Sequence, residues 1–238
     1  MPESWMRDCP PQLWGICTRY YIGRSVSPFV SVSSSVTRAM PCPPRKEHHE
    51  MRPLAPGESR GLLGTTRGDR LEALYVLALT TSMRQGELLG LHWPDIDMEQ
   101  GKLHIRGNLR RTMEIAETKQ KKSRRQISLT SLGIETLKRH RAHQAEERLA
   151  PGSAWTCPEL VFTNAVGGYM DANKLRHRAF PKLLERAELP RIRFHDLRHS
   201  AATLSLSLGV HPKVVQELLG HSQISVTIDT YSHILPDM

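Results

Sequence analysis

The sequence is poor in cysteine. Its 238 residues include four cysteines, at positions 9, 17, 42 and 157. They form no CxxC pair and lie at no zinc-ligand spacing from histidines, and three of them crowd into the N-terminal stretch, so we expect neither a zinc site nor a disulfide framework. This cysteine usage favours a reducing compartment, and we therefore predict a cytoplasmic location.

Long apolar runs are also missing. No stretch approaches the roughly 18 uncharged apolar residues that a membrane-spanning helix needs. The N-terminus has no basic start followed by a clean apolar run, which is the pattern of a secretory signal. We therefore expect neither an integral membrane protein nor a secreted one.

Basic residues are in excess. Lysine and arginine total 33 against 24 aspartates and glutamates, which gives a formal net charge of +9. This balance predicts attraction to polyanions, with nucleic acid first and anionic membranes second. The length favours one domain, or one domain plus part of a second.

The first 50 residues differ in pattern from the rest. They are rich in proline, serine and cysteine up to Pro44, and show no sustained apolar period. We interpret residues 1–50 as an irregular N-terminal segment, which is a linker, a remnant or a mis-started reading frame. Residues 51–238 have the patterning of a folded domain.

Apolar periodicity in that domain predicts a mainly α fold with a small antiparallel β-sheet (α+β). Helices are predicted over residues 69–81, 84–91, 131–149, 171–189 with an interruption at Pro181, 195–208, 212–219 and around Tyr231. A short hairpin is predicted from residues 96–98 and 103–105, and a small strand at residues 160–162. A second hairpin is predicted to pair residues 113–115 with residues 127–129 across a basic tip at residues 119–125.

Several polar residues match the needs of phosphodiester chemistry without a metal. Such chemistry needs a nucleophile, cations for the phosphate oxygens and an acid for the departing oxygen. Arginine suits the cation role because its planar fork matches two phosphate oxygens. Arg84 has Glu87 three residues later, so that both lie on one helical face and the carboxylate can hold the guanidinium. His195 and Arg198 have the same spacing.

Taken singly, each of these residues has an ordinary structural explanation, such as a surface ion pair or a helix cap. Their order along the chain is more specific. Residues 81–97 read TSMRQGELLGLHWPDID, residues 195–203 read HDLRHSAAT, residues 218–222 read LLGHS and Tyr231 follows. In this order the motifs resemble the catalytic domain of the tyrosine recombinase (phage integrase) family, over about residues 51–238. The family's more common Gly-Leu before the first arginine is Ser-Met here.

The resemblance implies a role for each residue. Arg84 and Arg198 would clamp the scissile phosphate, and His221 would donate a hydrogen bond to it. His195 would assist proton movement at the nucleophile. Tyr231 would attack phosphorus, giving a 3′-phosphotyrosyl DNA and a free 5′-hydroxyl, with no metal, cofactor or ATP.

The family's catalytic lysine lies in a β-hairpin. The corresponding basic tip here reads KQKKSRRQI over residues 119–127. By this resemblance Lys119 is the catalytic lysine, and Lys121 is the alternative. The other basic residues of the tip are expected to contact the phosphate backbone of DNA.

The resemblance also implies partners: double-stranded DNA, and three further copies of the chain in a synaptic tetramer on two duplexes. Members of the family carry a helical core-binding domain ahead of the catalytic domain, which residues 1–50 do not resemble. Two alternatives to a site-specific recombinase therefore stay open. One is a non-catalytic DNA-binding remnant of an integrase, and the other is a DNA relaxer similar to type IB topoisomerases.

Overall fold

The computed structural model of the protein describes residues 51–110, 112–117, 125–149 and 152–232. Its helices are α1 (Pro56–Thr65), α2 (Glu72–Thr81), α3 (Gln85–Leu89), α4 (Ser131–Leu149), α5 (Ala172–Lys174), α6 (Phe180–Arg186), α7 (Asp196–Ser207), α8 (Pro212–Leu219) and α9 (Ile224–Tyr231). Its strands are β1 (Ile96–Asp97), β2 (Lys102–Ile105), β3 (Gly107–Leu109), β4 (Ile115–Glu117) and β5 (Arg125–Ser128). The predicted fold class, mainly α with a small antiparallel sheet, is confirmed. The predicted boundary after residue 50 stays a prediction, because residues 1–50 lie outside the described part.

Helix α2 is the centre of the domain. The predicted helix over residues 69–81 is present, beginning at Glu72, and Asp69 accepts a hydrogen bond from the amide of Leu71 at 3.0 Å. The pattern predicted one apolar face, but nearly every side of α2 is buried, because α4 and α7 both pack against it. A helix that is buried on nearly all sides fixes the positions of the helices that pack against it, here α4 and α7.

The strands form two small antiparallel sheets. One has the order β1-β2-β5 and pairs Leu103 with both Ile96 and Ile127. The other is the hairpin β3-β4, in which Leu109 pairs with Ile115. The prediction that residues 113–115 pair with residues 127–129 is therefore wrong. Alternation identifies the buried face of a strand but does not select its partner, and here the buried Leu103 of β2 selects Ile127.

Residues 160–162 do not form the predicted strand beyond an isolated bridge between His92 and Leu160. Side chains of α4 take the hydrogen-bonding groups that a strand partner would need. Nε2 of Gln144 donates to the carbonyls of Leu160 and Val161 at 3.0 Å each, and His140 Nε2 lies 2.8 Å from the carbonyl of Val161.

The remaining helices lie close to their predicted positions. Thr130 caps α4 by accepting a hydrogen bond from the amide of Gly133, and Asp171 caps α5. The helix predicted over residues 171–189 is interrupted by a π-helical turn just before Pro181 and ends at Arg186. The periodicity predicts no helix for α1, whose three glycines obscure its apolar pattern.

The C-terminal helices α7, α8 and α9 pack against one another in sequence. Gly220 ends α8 with a left-handed backbone, φ 62°, which favours glycine. Within the described part of the chain, no helix is long and apolar enough to cross a membrane.

Candidate active site

Arg84 lies at the turn between α2 and α3. Ser82 ends α2 with a left-handed backbone, φ 52°, and Arg84 is the residue that caps α3. Glu87 accepts two hydrogen bonds from Arg84, one from its amide at 2.9 Å and one from Nη1 at 3.0 Å. The spacing of three residues thus does hold this guanidinium, as predicted. The Arg84 side chain keeps 41% of its surface exposed, so a ligand can reach it.

Glu87 is shared with a second arginine. Its side chain is only 3% exposed and receives a bidentate pair from Arg125, with Nη1 at 3.1 Å and Nη2 at 2.8 Å. Burial pushes the pKa of Glu87 up, but the hydrogen bonds and charges of Arg125 and Arg84 outweigh burial and lower it. Glu87 is therefore an ionised carboxylate that orients two guanidinium groups.

Arg125 also fixes the end of α8. Its Nε donates to the carbonyl of Leu218 at 2.9 Å. A Cβ on Gly220 would lie 2.9 Å from Arg125 Nη1, so this glycine is needed both for its φ and for the room it leaves. The start of β5 is thereby attached to the turn that carries His221.

Arg198 is buried at the meeting point of two turns. Its side chain donates to the carbonyl of Ser82 at 2.6 Å and to the carbonyl of Leu219. These acceptors lie two residues before Arg84 and two residues before His221. Burial, followed by the charge of Arg84, lowers the pKa of Arg198 to about 9, so it remains charged at neutral pH. An anion bound here would relieve the repulsion between the guanidinium groups.

His221 follows the glycine that ends α8. Its Nδ1 lies 2.9 Å from the Thr227 hydroxyl. Burial, then the charges of Arg198 and Arg84, lower the pKa of His221 to about 4. The ring is therefore neutral at pH 7, and when Nδ1 accepts from Thr227 the proton lies on Nε2, which can donate to a ligand.

Tyr231 is the last residue of α9 and is only 2% exposed. Its ring packs in a small apolar cluster, and its hydroxyl lies 2.7 Å from His199 Nδ1. Burial raises the pKa of Tyr231 to about 12, and the positive charge of Arg198 opposes that rise. The phenol is therefore protonated, and it interacts electrostatically with Arg198.

His195 and His199 lie one helical turn apart. His195 directly precedes α7, and its ring meets that of His199 edge to face, with 5.0 Å between ring centroids. Burial and the charge of Arg198 lower the pKa of His195. Of the two rings, His199 is the one in hydrogen-bond contact with Tyr231. Sequence reasoning missed His199, although its i+4 spacing from His195 places both on one helical face.

The basic tip predicted to carry the catalytic lysine lies largely outside the described residues. This applies to Lys119 and to its alternative Lys121. Arg125, at the end of the tip, is described and belongs to the Glu87 cluster rather than to an exposed surface.

The structure thus brings together five of the six predicted site residues, from three separate stretches of the chain. Arg84 and Arg125 bind the carboxylate of Glu87, and Arg198 interacts electrostatically with all three. Three guanidinium groups against one carboxylate leave an excess of positive charge beside the imidazole of His221. Such an arrangement is suited to a phosphate group. A separate cleft between α1, α2 and α4, of about 850 Å³, contains none of these residues.

Comparison with known proteins decides the family. The sequence profile of the Phage integrase family matches residues 61–237. The chain belongs to this family. It is 37% identical over 209 residues to a protein named Tyrosine recombinase XerC-like from Caldanaerobacter subterraneus subsp. tengcongensis, covering 82% of this chain and 53% of that protein. It is 34% identical to an integrase of Streptomyces ambofaciens over 73% of this chain and 47% of that protein. The chain therefore spans about half the length of these relatives.

Solved structures confirm the phage integrase fold. The Tn1549 transposon integrase, in complex with transposon right end DNA, superposes with a TM-score of 0.68 at 23% identity, covering 78% of this chain and 62% of that one. The catalytic domain of bacteriophage HP1 integrase superposes with a TM-score of 0.52 at 21% identity, covering 79% of this chain and 90% of that one. At these identities the likeness concerns the fold alone.

Proposed function

We propose that this integrase-family chain is a site-specific recombinase that cleaves and rejoins double-stranded DNA through a 3′-phosphotyrosyl intermediate, without metal or ATP. The observation that carries the proposal is the convergence of Arg84, Arg198 and His221, together with the electrostatic interaction between Arg198 and Tyr231. The net positive charge of the chain and the names of its relatives support the same reaction class.

Arg84 and Arg198 form the phosphate clamp. Arg84 offers an exposed guanidinium held by Glu87, and Arg198 is fixed by two backbone carbonyls. Because both are oriented before the substrate arrives, little reorganisation is needed as negative charge develops on the phosphate oxygens. His221 adds a neutral N–H donor to the same oxygens.

Tyr231 is the nucleophile. Its phenolic oxygen forms a bond to phosphorus as the bond from phosphorus to the 5′-oxygen breaks, and one proton passes from the phenol to a base. Lys119 protonates the departing 5′-oxygen, and His195 assists proton movement. Attack by the 5′-hydroxyl of another strand reverses the step, so that the phosphoester energy is retained.

The partners of the reaction are duplex DNA and further copies of the chain. Solved structures of the Tn1549 integrase contain circular intermediate DNA or transposon right end DNA, and one of XerH contains palindromic difH substrate. We propose that duplex DNA is the substrate of this chain as well. We also propose that four protomers assemble on two duplexes, since strand exchange needs two cleaved duplexes. A DNA substrate and the cysteine usage favour a cytoplasmic location.

A nicked-duplex trap tests the proposal. The chain is incubated with a pool of duplexes that have randomised cores and a nick in one strand, so that cleavage near the nick releases a short oligonucleotide and leaves the protein covalently attached. We expect an adduct that survives denaturation and disappears in Tyr231→Phe. Sequencing the attached DNA identifies the preferred site.

Other outcomes of this experiment, and a plasmid relaxation assay beside it, decide between the alternatives. Retarded DNA without any adduct would identify a non-catalytic DNA-binding remnant. Relaxation of supercoiled plasmid without a preferred site would identify a topoisomerase-like relaxer. Near wild-type cleavage by Arg84→Ala would refute the phosphate clamp.

A further inference from the structure

The hydroxyl of Tyr231 has an imidazole partner that the predicted catalytic set does not include. His199 Nδ1 lies 2.7 Å from the phenolic oxygen, the usual distance for a hydrogen bond of this kind, and the two ring centroids are 6.0 Å apart. The His195 ring makes no hydrogen bond within the described residues, and it meets the ring of His199 rather than that of Tyr231. A base must lie within hydrogen-bond reach of the proton that it removes. Of these two histidines, only His199 meets this requirement.

The surroundings of His199 keep its ring neutral before DNA binds. Burial is the main cause, and it lowers the pKa of His199 to about 4 together with neighbouring positive charge. The charged or titratable groups that face the ring are His195, Asp196, Arg198, Arg193 and Tyr231. In the tautomer that carries its proton on Nε2, Nδ1 has a lone pair to accept the phenolic hydrogen.

We propose that His199 accepts the phenolic proton of Tyr231 as the tyrosine attacks the scissile phosphate. The inference rests on the proposed recombinase function. The O–H bond of the phenol breaks as its oxygen bonds to phosphorus, the proton moves to His199 Nδ1, and the bond between phosphorus and the 5′-oxygen breaks. In the reverse step the imidazolium returns the proton to the phenol.

The phosphate itself makes this transfer more favourable. The imidazolium that forms on His199 is opposed by burial and by Arg198 when the site is empty. A bound phosphate brings negative charge to the same cluster, which raises the pKa of a nearby imidazole. The buried carboxylate of Asp196, which accepts hydrogen bonds from Arg193, acts in the same direction. His199 is thus a stronger base in the DNA complex than in the free protein.

Two substitutions separate proton acceptance from positioning. His199→Asn can keep an acceptor near the place of Nδ1 but cannot take up a proton at neutral pH, whereas His199→Ala removes both functions. Adduct formation is measured on the nicked duplex recovered from the pool, synthesised with sulfur in place of the bridging 5′-oxygen. Because a thiolate leaves without a proton, this substrate removes the need for an acid and isolates the nucleophile side of the reaction.

We expect both variants to form the adduct about 10²–10⁴-fold more slowly at pH 7, the range for general base catalysis. The rate of His199→Asn should rise about tenfold per pH unit above neutrality, because ionisation of the phenol then limits attack. The wild-type rate should be nearly level over the same range. His177→Gln, which removes an exposed imidazole, serves as the control and should keep the wild-type profile.

Three results would overturn the inference. His199→Asn with the wild-type rate and profile would show a positioning role only. His199→Ala that reacts faster than wild type would show that the hydrogen bond restrains the tyrosine. A wild-type chain that forms no adduct on any duplex would refute the proposed function and the role of His199 with it, whereas loss of the adduct only in Tyr231→Phe keeps the function intact. Thermal unfolding checks that each variant folds. If His199→Ala does not fold, the rate and pH profile of His199→Asn alone test the inference.

Discussion

The proposed phosphate clamp and the proposed nucleophile of this domain pack against two apolar clusters of very different size. The large cluster extends from Leu54 to Leu197 and includes most of α2. The small cluster holds Tyr231 and four other buried residues, Ala202, Leu206, Val215 and Leu219. The elements around the small cluster also expose apolar side chains, with Leu208 83% exposed and Val214 47% exposed. Tyr231 thus packs in a much smaller apolar cluster than the one beside Arg84.

Two arginines join these regions. Arg198 donates to the carbonyl of Ser82 at the end of α2 and to the carbonyl of Leu219 in the small cluster. Arg125 binds Glu87 of α3 and the carbonyl of Leu218 at the end of α8. Arg198, one of the two residues proposed to bind phosphate, therefore also helps to hold the region that contains Tyr231. We infer that phosphate binding and the docking of α8 and α9 are coupled.

Loss of Arg198 is expected to have the largest effect. Arg198→Ala removes one guanidinium of the proposed clamp and leaves the carbonyls of Ser82 and Leu219 without this donor. We predict a fall in the rate of adduct formation of about 10³-fold, or about 4 kcal/mol in the barrier. Limited proteolysis should also cut the α8–α9 region faster. Arg60→Ala, at an exposed position of α1, is the control, and an equal loss in that variant would show that overall charge is responsible.

A matched pair of leucines compares the two clusters directly. Leu77 and Leu219 are both fully buried, one in each cluster. We predict that Leu77→Ala lowers the free energy of unfolding by about 3–4 kcal/mol and Leu219→Ala by about 2–3 kcal/mol. Hydrogen exchange should show global loss of protection in the first variant and loss confined to α8 and α9 in the second. Equal, global effects would mean that the small cluster is not a separate unit.

Acid should weaken the small cluster first. The pKa values of His199 and His221 are lowered to about 4 in the folded state, below the unfolded value near 6.5. Between these values the unfolded chain binds more protons, so stability is fully present above pH 6.5 and is lost as the pH falls toward 4. Because both rings are partly exposed, we expect about 1 kcal/mol or less from each.

Denaturant unfolding at pH 7 and pH 5 measures this loss. His221→Asn removes one of the two titrating rings and should flatten the pH dependence. A wild-type stability that stays level across this window would contradict the lowered pKa values.

The smallest effect on stability is expected for the substitution of Tyr231. Tyr231→Phe keeps the packing of the ring and removes only the hydrogen bond to His199. We predict a change of about 1 kcal/mol or less in the free energy of unfolding, although the covalent adduct is lost. A much larger destabilisation would mean that this hydrogen bond is a main attachment of α9.

Much of the fold was predictable because local signals and burial agree. Gly220 after α8, Asp171 before α5 and the apolar period of α2 each act within a few residues. The pairing of β5 with β2 was not predictable, since Ile115 and Ile127 have the same alternation and only long-range packing distinguishes their partners. Likewise, in the sequence Arg125 is one of several basic residues in the predicted tip. Its hydrogen bonds to Glu87 could not be predicted, because they depend on the position of β5 in the fold.

By itself the sequence determined which residue types are available for phosphate chemistry and in what order they occur, because spacing along a helix fixes which neighbours share a face. The spacing of three residues brings Arg84 next to Glu87, and the spacing of four places His195 one helical turn from His199. Tertiary structure alone decided that His199 meets Tyr231 and that Arg198 bridges two turns. These contacts join residues 32 and 116 positions apart, and such distances are closed only by the packing of the core.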